Sequence, residues 1–208
     1  VEPMHGLLFL PWDDTKFIYQ TQRDGYNQLY LFDLSVRQNG EEVPTQTGGT
    51  KKEYVKVTPL TSGAWVVKDV LGFNQKEKSI LICTNEIHPL QSNIFKVRVK
   101  DGKRTLLDNG EGVHYGRLSQ SGAYLVDLYS SPTVTKNIDL TNVKTCKSCR
   151  LLTAEDPWKE YNVPEITSGS IKAADGQTDL YYRMVKPVDF DPNKKYPTVV
   201  YVYGGPHA

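Results

Sequence analysis

A tyrosine and two glycines follow an apolar run near the end of the sequence. Residues 198–202 are apolar on both faces, as in a strand buried inside a helix-covered sheet, and Tyr203, Gly204, Gly205 and Pro206 come next. Two glycines at a strand end allow a sharp turn and leave main-chain N–H groups uncovered. Hydrolases build an oxyanion hole in this way after a central strand. Taken alone, a Gly-Gly-Pro tripeptide also fits an ordinary tight turn.

The cysteines offer a second kind of chemistry. Cys146 and Cys149 are three residues apart, a spacing that fits a redox pair, half of a zinc site or a local disulfide. No second cysteine pair supports zinc, so a hairpin disulfide is favoured, and free thiols come next. Cys83 lies in an apolar run and is predicted to be a small buried hydrophobic residue.

The histidines show no metal-ligand spacing. His5, His88, His114 and His207 are interpreted as structural or surface residues, although His207 lies just beyond the glycine turn, where a cavity could form. No phosphate-binding loop is present, because the Gly-Gly-Pro turn lacks the Lys-Ser/Thr continuation. We therefore predict neither a metal nor a cofactor.

Composition excludes two classes of partner. The 208 residues carry 25 Lys+Arg against 24 Asp+Glu, and no basic stripe of the kind that binds nucleic acid is visible. No apolar run approaches the roughly 20 residues that cross a bilayer, so we predict no membrane segment. The aromatic content, 13 Tyr, 6 Phe and 3 Trp, favours sheet over helix.

Short alternating strands separated by turn clusters must position these groups. Predicted strands occupy residues 16–22 with 28–33, 79–84 with 93–98, and 123–129 with 137–140, and Asp-Gly turns lie at residues 24–25 and 101–102. The second strand of each repeat begins at Phe17, Ile80 or Tyr124, which are 63 and 44 residues apart. The first interval contains a polar stretch, residues 35–55, which is interpreted as a long loop.

Without that loop, each repeat has about the 40 to 50 residues of a four-stranded propeller blade. The sequence therefore predicts about three blades of a β-propeller, and a small β-sandwich is the alternative. Propellers close with about four to eight blades, so open edges should pair with a second copy as a homodimer.

Composition changes after Pro157. A linker covers residues 157–165, a hairpin of residues 169–173 and 179–185 turns at 174–177, and a loop over 188–197 leads into the apolar run. We expect a different domain to begin here. Because the chain lacks an initiator Met and stops just after a buried strand, we also expect it to be part of a longer protein.

Several segments resemble one family in its own order. Residues 194–206 are similar to the opening of the catalytic domain in the prolyl oligopeptidase family of serine peptidases, closest to its dipeptidyl peptidase IV branch. Residues 20–31 resemble a propeller hairpin of that branch, residues 60–65 the Leu-Thr-x-Gly-x-Trp step that opens a blade, and residues 179–187 the first hydrolase strands.

The resemblance implies an all-β partial propeller over residues 1–157, then a linker and the first strands of an α/β-hydrolase over residues 158–208. It implies a serine exopeptidase that releases N-terminal dipeptides with proline or alanine second, acts on peptides and is exported. Tyr203 would bind substrate and donate its hydroxyl to the oxyanion. A non-catalytic propeller that serves as a protein-binding platform is the alternative.

Two departures limit that implication. The sequence contains no Gly-x-Ser-x-Gly elbow and no Asp and His after one, so this chain alone should hydrolyse nothing. The family's paired glutamates, which fix the peptide N-terminus, have no assigned counterpart. Glu41 and Glu42 lie in the polar stretch and are interpreted as a solvated loop.

Overall fold

Antiparallel strands form the regular structure of the chain. The structure is a computed structural model, and it describes residues 5–35, 41–44, 48–53 and 55–202. The chain divides into two units, residues 2–154 and residues 155–208. Within the described ranges we find no helix with the length and apolar character needed to span a bilayer.

Residues 2–154 contain three four-stranded sheets. The first sheet has the order β1 (Leu8–Leu10), β2 (Asp13–Thr21), β3 (Gln28–Asp33) and β6 (Lys56–Pro59). The second has β7 (Val67–Asn74), β8 (Ser79–Thr84), β9 (Asn93–Arg98) and β10 (Arg104–Leu106). The third has β11 (Val113–Leu118), β12 (Tyr124–Ser131), β13 (Val134–Asn142) and β14 (Lys147–Thr153). The prediction of three four-stranded blades is confirmed.

The second sheet is buried on both faces. On β8, Ile80 and Ile82 pack in one apolar cluster with side chains of the first sheet such as Ile18. Leu81, which lies between them, packs in a second cluster with Leu125 of the third sheet. Alternate side chains of a strand point to opposite faces, so β8 serves two interfaces. We call these the first and second inter-sheet interfaces.

Close approach at the second interface depends on a glycine. Gly116 lies on β11, and a Cβ atom there would come within 2.5 Å of a Leu71 methyl, 2.9 Å of one on Ile94 and 3.0 Å of one on Leu125. No side chain larger than hydrogen fits without displacing these groups. Gly116 therefore sets how closely the second and third sheets pack.

The other face of the first sheet carries aromatic rings. Phe17 stacks on Phe32 with ring centroids 4.8 Å apart, and Phe9 lies 5.6 Å from Phe17. Phe9 remains 51% exposed. This face is apolar enough to receive another layer.

One prediction about this part of the fold needs correction. Residues 35–55 are not one long loop, because β4 (Glu41–Pro44) and β5 (Thr50–Glu53) pair as a separate two-stranded sheet. The Gly- and Thr-rich composition suggested a loop, but two short segments can pair as antiparallel strands without apolar alternation.

In the second unit, β15 (Ile166–Lys172) and β16 (Asp179–Val185) form the predicted hairpin. Asp175 closes its turn by accepting the backbone N–H groups of Gln177 and Thr178. The predicted buried strand at residues 198–202 is wrong: these residues belong to no strand, and Val199 is 94% exposed. A strand needs hydrogen-bonded neighbours, and in the described part of the second unit β15 and β16 pair only with each other.

Candidate functional site

Among the described residues singled out in the sequence, His5, Cys83 and His114 line a common cleft, whereas Cys146 and Cys149 lie elsewhere. Tyr203 and His207 lie outside the described residues, so the oxyanion role of Tyr203 stays a prediction. Glu41 and Glu42 lie on β4, opposite Glu53 and Lys52. The prediction that these two glutamates lie in a loop is therefore wrong, because they lie on a short strand.

The hairpin disulfide favoured for the Cys-x-x-Cys pair does not form. Cys146 and Cys149 are free and exposed. Cys146 ends the turn between β13 and β14, whereas Cys149 lies within β14 opposite Leu140. Three residues of extended chain span about 10 Å, whereas the Cα atoms of a disulfide are about 4.4 to 6.8 Å apart.

A cleft of about 590 Å³ lies between the first strands of the second and third sheets. One wall comes from β7, another from β11, and His5 enters from the segment before β1. Each of these strands is the first of its sheet, and each lies at a sheet edge. The lining residues are His5, Lys68, Asp69, Val70, Leu71, Cys83, Ser92, His114, Tyr115, Gly116, Arg117 and Leu118. The stacking of the sheets therefore creates a concave polar surface.

The charged groups of the cleft divide into paired and unpaired ones. The Nε2 atom of His5 lies 2.8 Å from a carboxylate oxygen of Asp69, which also accepts the backbone N–H of Val70 at 2.7 Å. Lys68 and Arg117 are exposed, and neither has a hydrogen-bond or ion-pair partner among the residues that the structure describes. Among the described residues, the cleft therefore presents two positive charges without an ion-pair partner.

Cys83 is buried behind this cleft, as predicted. Its sulfur lies 2.8 Å from the Ser92 hydroxyl oxygen. Burial raises the pKa of the Cys83 thiol above its ordinary value, although the hydrogen bond with Ser92 acts in the other direction. The thiol is therefore held in its neutral form, which is a poor nucleophile.

A buried histidine lies beside the cysteine. His114 on β11 is 1% exposed, with Nδ1 2.7 Å from a carboxylate oxygen of Asp127 and Nε2 2.8 Å from the carbonyl oxygen of Glu111. Asp108 lies 3.9 Å from Nδ1, and the Tyr129 ring stacks on the imidazole at 4.7 Å. A carbonyl oxygen can only accept, and an ionised carboxylate can only accept, so both ring nitrogens carry hydrogen. With Asp127 ionised, His114 is therefore an imidazolium below its raised pKa.

The environment of His114 accounts for that charge. Burial on its own would lower the pKa of the imidazole, but the hydrogen bond to Asp127 and the negative charges of Asp108 and Asp127 outweigh it. The net effect raises the pKa of His114 above its ordinary value. A charged ring is stable here because carboxylates meet it from two elements.

The same cluster ties the second sheet to the third. The backbone N–H of His114 donates to the carbonyl oxygen of Ser92 at 2.9 Å, and Asp108 accepts the N–H of Ile94 at 2.5 Å. Ser92 and Ile94 belong to the β9 region, and Asp127 lies on β12. In the described ranges, no group of three or more His, Cys, Asp or Glu side chains has an arrangement that could hold a metal ion.

From the sequence, His114 is interpreted as a structural or surface residue, and Lys68, Arg117 and Asp127 are not among the predicted site residues. A signal for Asp127 exists, because it alternates with Leu125 and Tyr129 on the buried face of β12. A carboxylate in that position needs a buried partner. Nothing in the sequence pairs β7 with β11 across a cleft.

Comparison with known proteins shows which family and which solved structures this chain resembles. A family model described as the dipeptidyl peptidase IV (DPP IV) N-terminal region matches residues 1–136. The chain is 29% identical over 159 residues to dipeptidyl peptidase 4 of Trichophyton equinum and 31% identical over 160 residues to that of Arthroderma otae. Each match covers 74% of this chain and 20% of the relative, so the matched region is about a fifth of the length of these proteins.

Two solved structures are also similar to this chain. A protein from Bacteroides ovatus described as a dipeptidyl aminopeptidase IV matches 100% of this chain with 48% identity and a TM-score of 0.83. Dipeptidyl peptidase 4 of Porphyromonas gingivalis matches 92% of it with 26% identity and a TM-score of 0.66. The chain covers 30% and 24% of those two proteins.

Proposed function

The chain belongs to the dipeptidyl peptidase IV N-terminal-region family, and on this premise we propose that it is part of a serine exopeptidase that releases dipeptides from the N-termini of peptides. The whole-chain match to the Bacteroides ovatus protein at 48% identity carries this proposal. Proline or alanine at the second position is the proposed preference. Residues 1–157 would be propeller blades and residues 158–208 a linker and the start of an α/β-hydrolase.

Tyr203 is the proposed contribution of this chain to catalysis. When a serine attacks the peptide carbonyl, the carbonyl oxygen becomes an oxyanion. The Tyr203 hydroxyl would donate a hydrogen bond to that oxyanion. Phenols stay protonated near neutral pH and are good donors. Removing one such donor typically raises the barrier by about 3 to 4 kcal/mol. The triad residues would come from parts of the enzyme that this sequence does not contain.

We further propose that the protein acts on peptides outside the cytoplasm and pairs as a homodimer. The aromatic face formed by Phe9, Phe17 and Phe32 supports self-association, because such a surface gains stability when another layer covers it. Sedimentation of this chain should show association that increases with concentration. A monomer at every concentration would remove the homodimer from the proposal.

The activity is tested on the full-length gene product. It should release Gly-Pro from a chromogenic Gly-Pro anilide, and Tyr203→Phe should lower kcat at least about 100-fold while KM changes little. Tyr201→Phe is the matched control and should leave turnover unchanged. Equal effects on kcat and KM would remove Tyr203 from the oxyanion role. If the wild type hydrolyses no anilide, the proposed peptidase activity is wrong, and a non-catalytic protein-binding platform is favoured.

A further inference from the structure

We propose that the cleft between β7 and β11 binds a carboxylate group of a peptide, held between Lys68 and Arg117. This inference rests on the proposed function, because it gives the peptide substrate a preferred chemistry. Its ligand is an acidic peptide, and the carboxylate can belong to a Glu or Asp side chain or to the C-terminus.

The placement of the two cations is the first observation. Lys68 lies on β7 of the second sheet and Arg117 on β11 of the third, and both line the same cleft. Along β11, Tyr115 and Arg117 are exposed whereas His114 is buried, so alternation sends the first two to the open side. The cations therefore approach a bound group from two different sheets.

The charge balance is the second observation. Among the described residues that line the cleft, Asp69 is the only carboxylate, and its Oδ1 atom lies 2.8 Å from Nε2 of His5. Lys68 and Arg117 have no anionic partner within the described ranges. An arginine offers a planar pair of N–H donors that matches a carboxylate, and a lysine adds a second charge. An incoming carboxylate would complete the charge balance that the fold leaves open.

The rest of the lining specifies what is attached to the carboxylate. Tyr115 is 68% exposed beside Arg117 and offers an aromatic face to an apolar group of the ligand. Val70 and Leu71 supply apolar wall on the opposite strand. A volume of about 590 Å³ lies in the range of small-ligand sites and can take a few peptide residues. Free phosphate would satisfy the cations but would leave these apolar contacts unused.

The experiment measures peptide binding to the 208-residue chain by calorimetry. The probes are C-terminally amidated Gly-Tyr-Glu-Glu-Gly, its Gln-Gln counterpart, and the Gln-Gln peptide with a free C-terminus. We expect the Glu peptide to bind, to bind more weakly as salt is added, and to bind better than the amidated Gln peptide. Binding of the free-terminus Gln peptide would identify the C-terminal carboxylate as a second accepted source.

Variants locate the site. Lys68→Met and Arg117→Met should each weaken binding of the Glu peptide about fivefold. Lys76→Met and Arg183→Met remove exposed cations outside the cleft and should leave the affinity unchanged. Equal binding of the Glu and amidated Gln peptides would overturn the proposal, and so would equal losses in the cleft and control variants. Hydrolysis of a neutral dipeptidyl anilide by the full-length gene product does not depend on this result, so the two proposals fail separately.

Discussion

The Nδ1 atom of His114 lies 2.7 Å from the Oδ2 atom of Asp127, and both side chains are almost fully buried. Since Nε2 donates to the Glu111 carbonyl, Nδ1 meets the ionised Asp127 carboxylate as part of an imidazolium below the raised pKa of His114, and the pair is then an ionic contact in the protein interior. The backbone of His114 also bonds to Ser92 in the β9 region. A charged pair therefore stands at the junction of the second and third sheets.

The stability of the chain should depend on pH through His114. Its folded-state pKa is raised above the unfolded value of about 6.5, so the contribution of the pair is fully present below about pH 6.5. That contribution is lost as pH rises through the folded-state pKa. Asp108, Asp127 and the Tyr129 ring are the groups that face the imidazole.

Urea unfolding of the wild type and of His114→Gln measures this effect. The difference in unfolding free energy should be largest near about pH 6 and should shrink toward about pH 9. A difference that stays constant across this range would contradict the raised pKa of His114, because it would show that folding leaves that pKa unchanged.

Asp127→Asn should destabilise the chain strongly. The substitution leaves a buried imidazolium without its hydrogen-bonded carboxylate, which typically costs about 3 kcal/mol or more. Asp139→Asn is a matched control on the neighbouring strand, because Asp139 pairs with the exposed Arg150. Chemical denaturation should show little change for the control, and similar losses in the two variants would contradict the ionic role of Asp127.

Gly116→Val should loosen the second inter-sheet interface. Its side chain would displace Leu71, Ile94 and Leu125, and overpacking of this kind typically costs about 1 to 3 kcal/mol. Gly6→Ala is the control, since a Cβ at Gly6 meets nothing within 4 Å. The melting temperature should fall for the first variant only; an unchanged value would mean that the sheets tolerate a wider spacing.

The three thiols should separate into two reactivity classes. Cys146 and Cys149 are exposed, whereas burial raises the pKa of Cys83. A thiol reagent near neutral pH should label two cysteines in the native chain and a third only after unfolding. Cys83→Ala should keep the two rapid sites. Rapid labelling of all three in the native state would contradict the burial of Cys83.

Strands with clear alternation between turn residues were predictable from sequence. The ranges 28–33, 79–84, 93–98 and 179–185 agree with β3, β8, β9 and β16, because polar or turn residues bound each of these short apolar or alternating runs. The apolar residues 198–202 follow the same local rule but form no strand. Local pattern gives no information about the neighbour that must pair with them.

The cleft was beyond sequence reasoning for a related reason. Lys68 and Arg117 are 49 positions apart, and each is an ordinary exposed cation in its own strand. Only the stacking of two sheets brings β7 and β11 to one cleft. His114 and Asp127 likewise become partners through the pairing of β11 with β12.

A shift of β8 by one residue would turn Leu81 to the first inter-sheet interface, where Ile80 packs, and would turn Ile80 to the second interface. Apolar burial alone would disfavour this register shift only weakly, because Ile80, Leu81 and Ile82 are all aliphatic and both faces of the sheet are buried. Correct alignment must therefore come from the polar end of the strand. There Thr84 faces Asn93, both fully enclosed, and Asn93 donates to Asp108. In this sheet the apolar centre contributes burial, and a few hydrogen-bonding side chains fix the register of the strand.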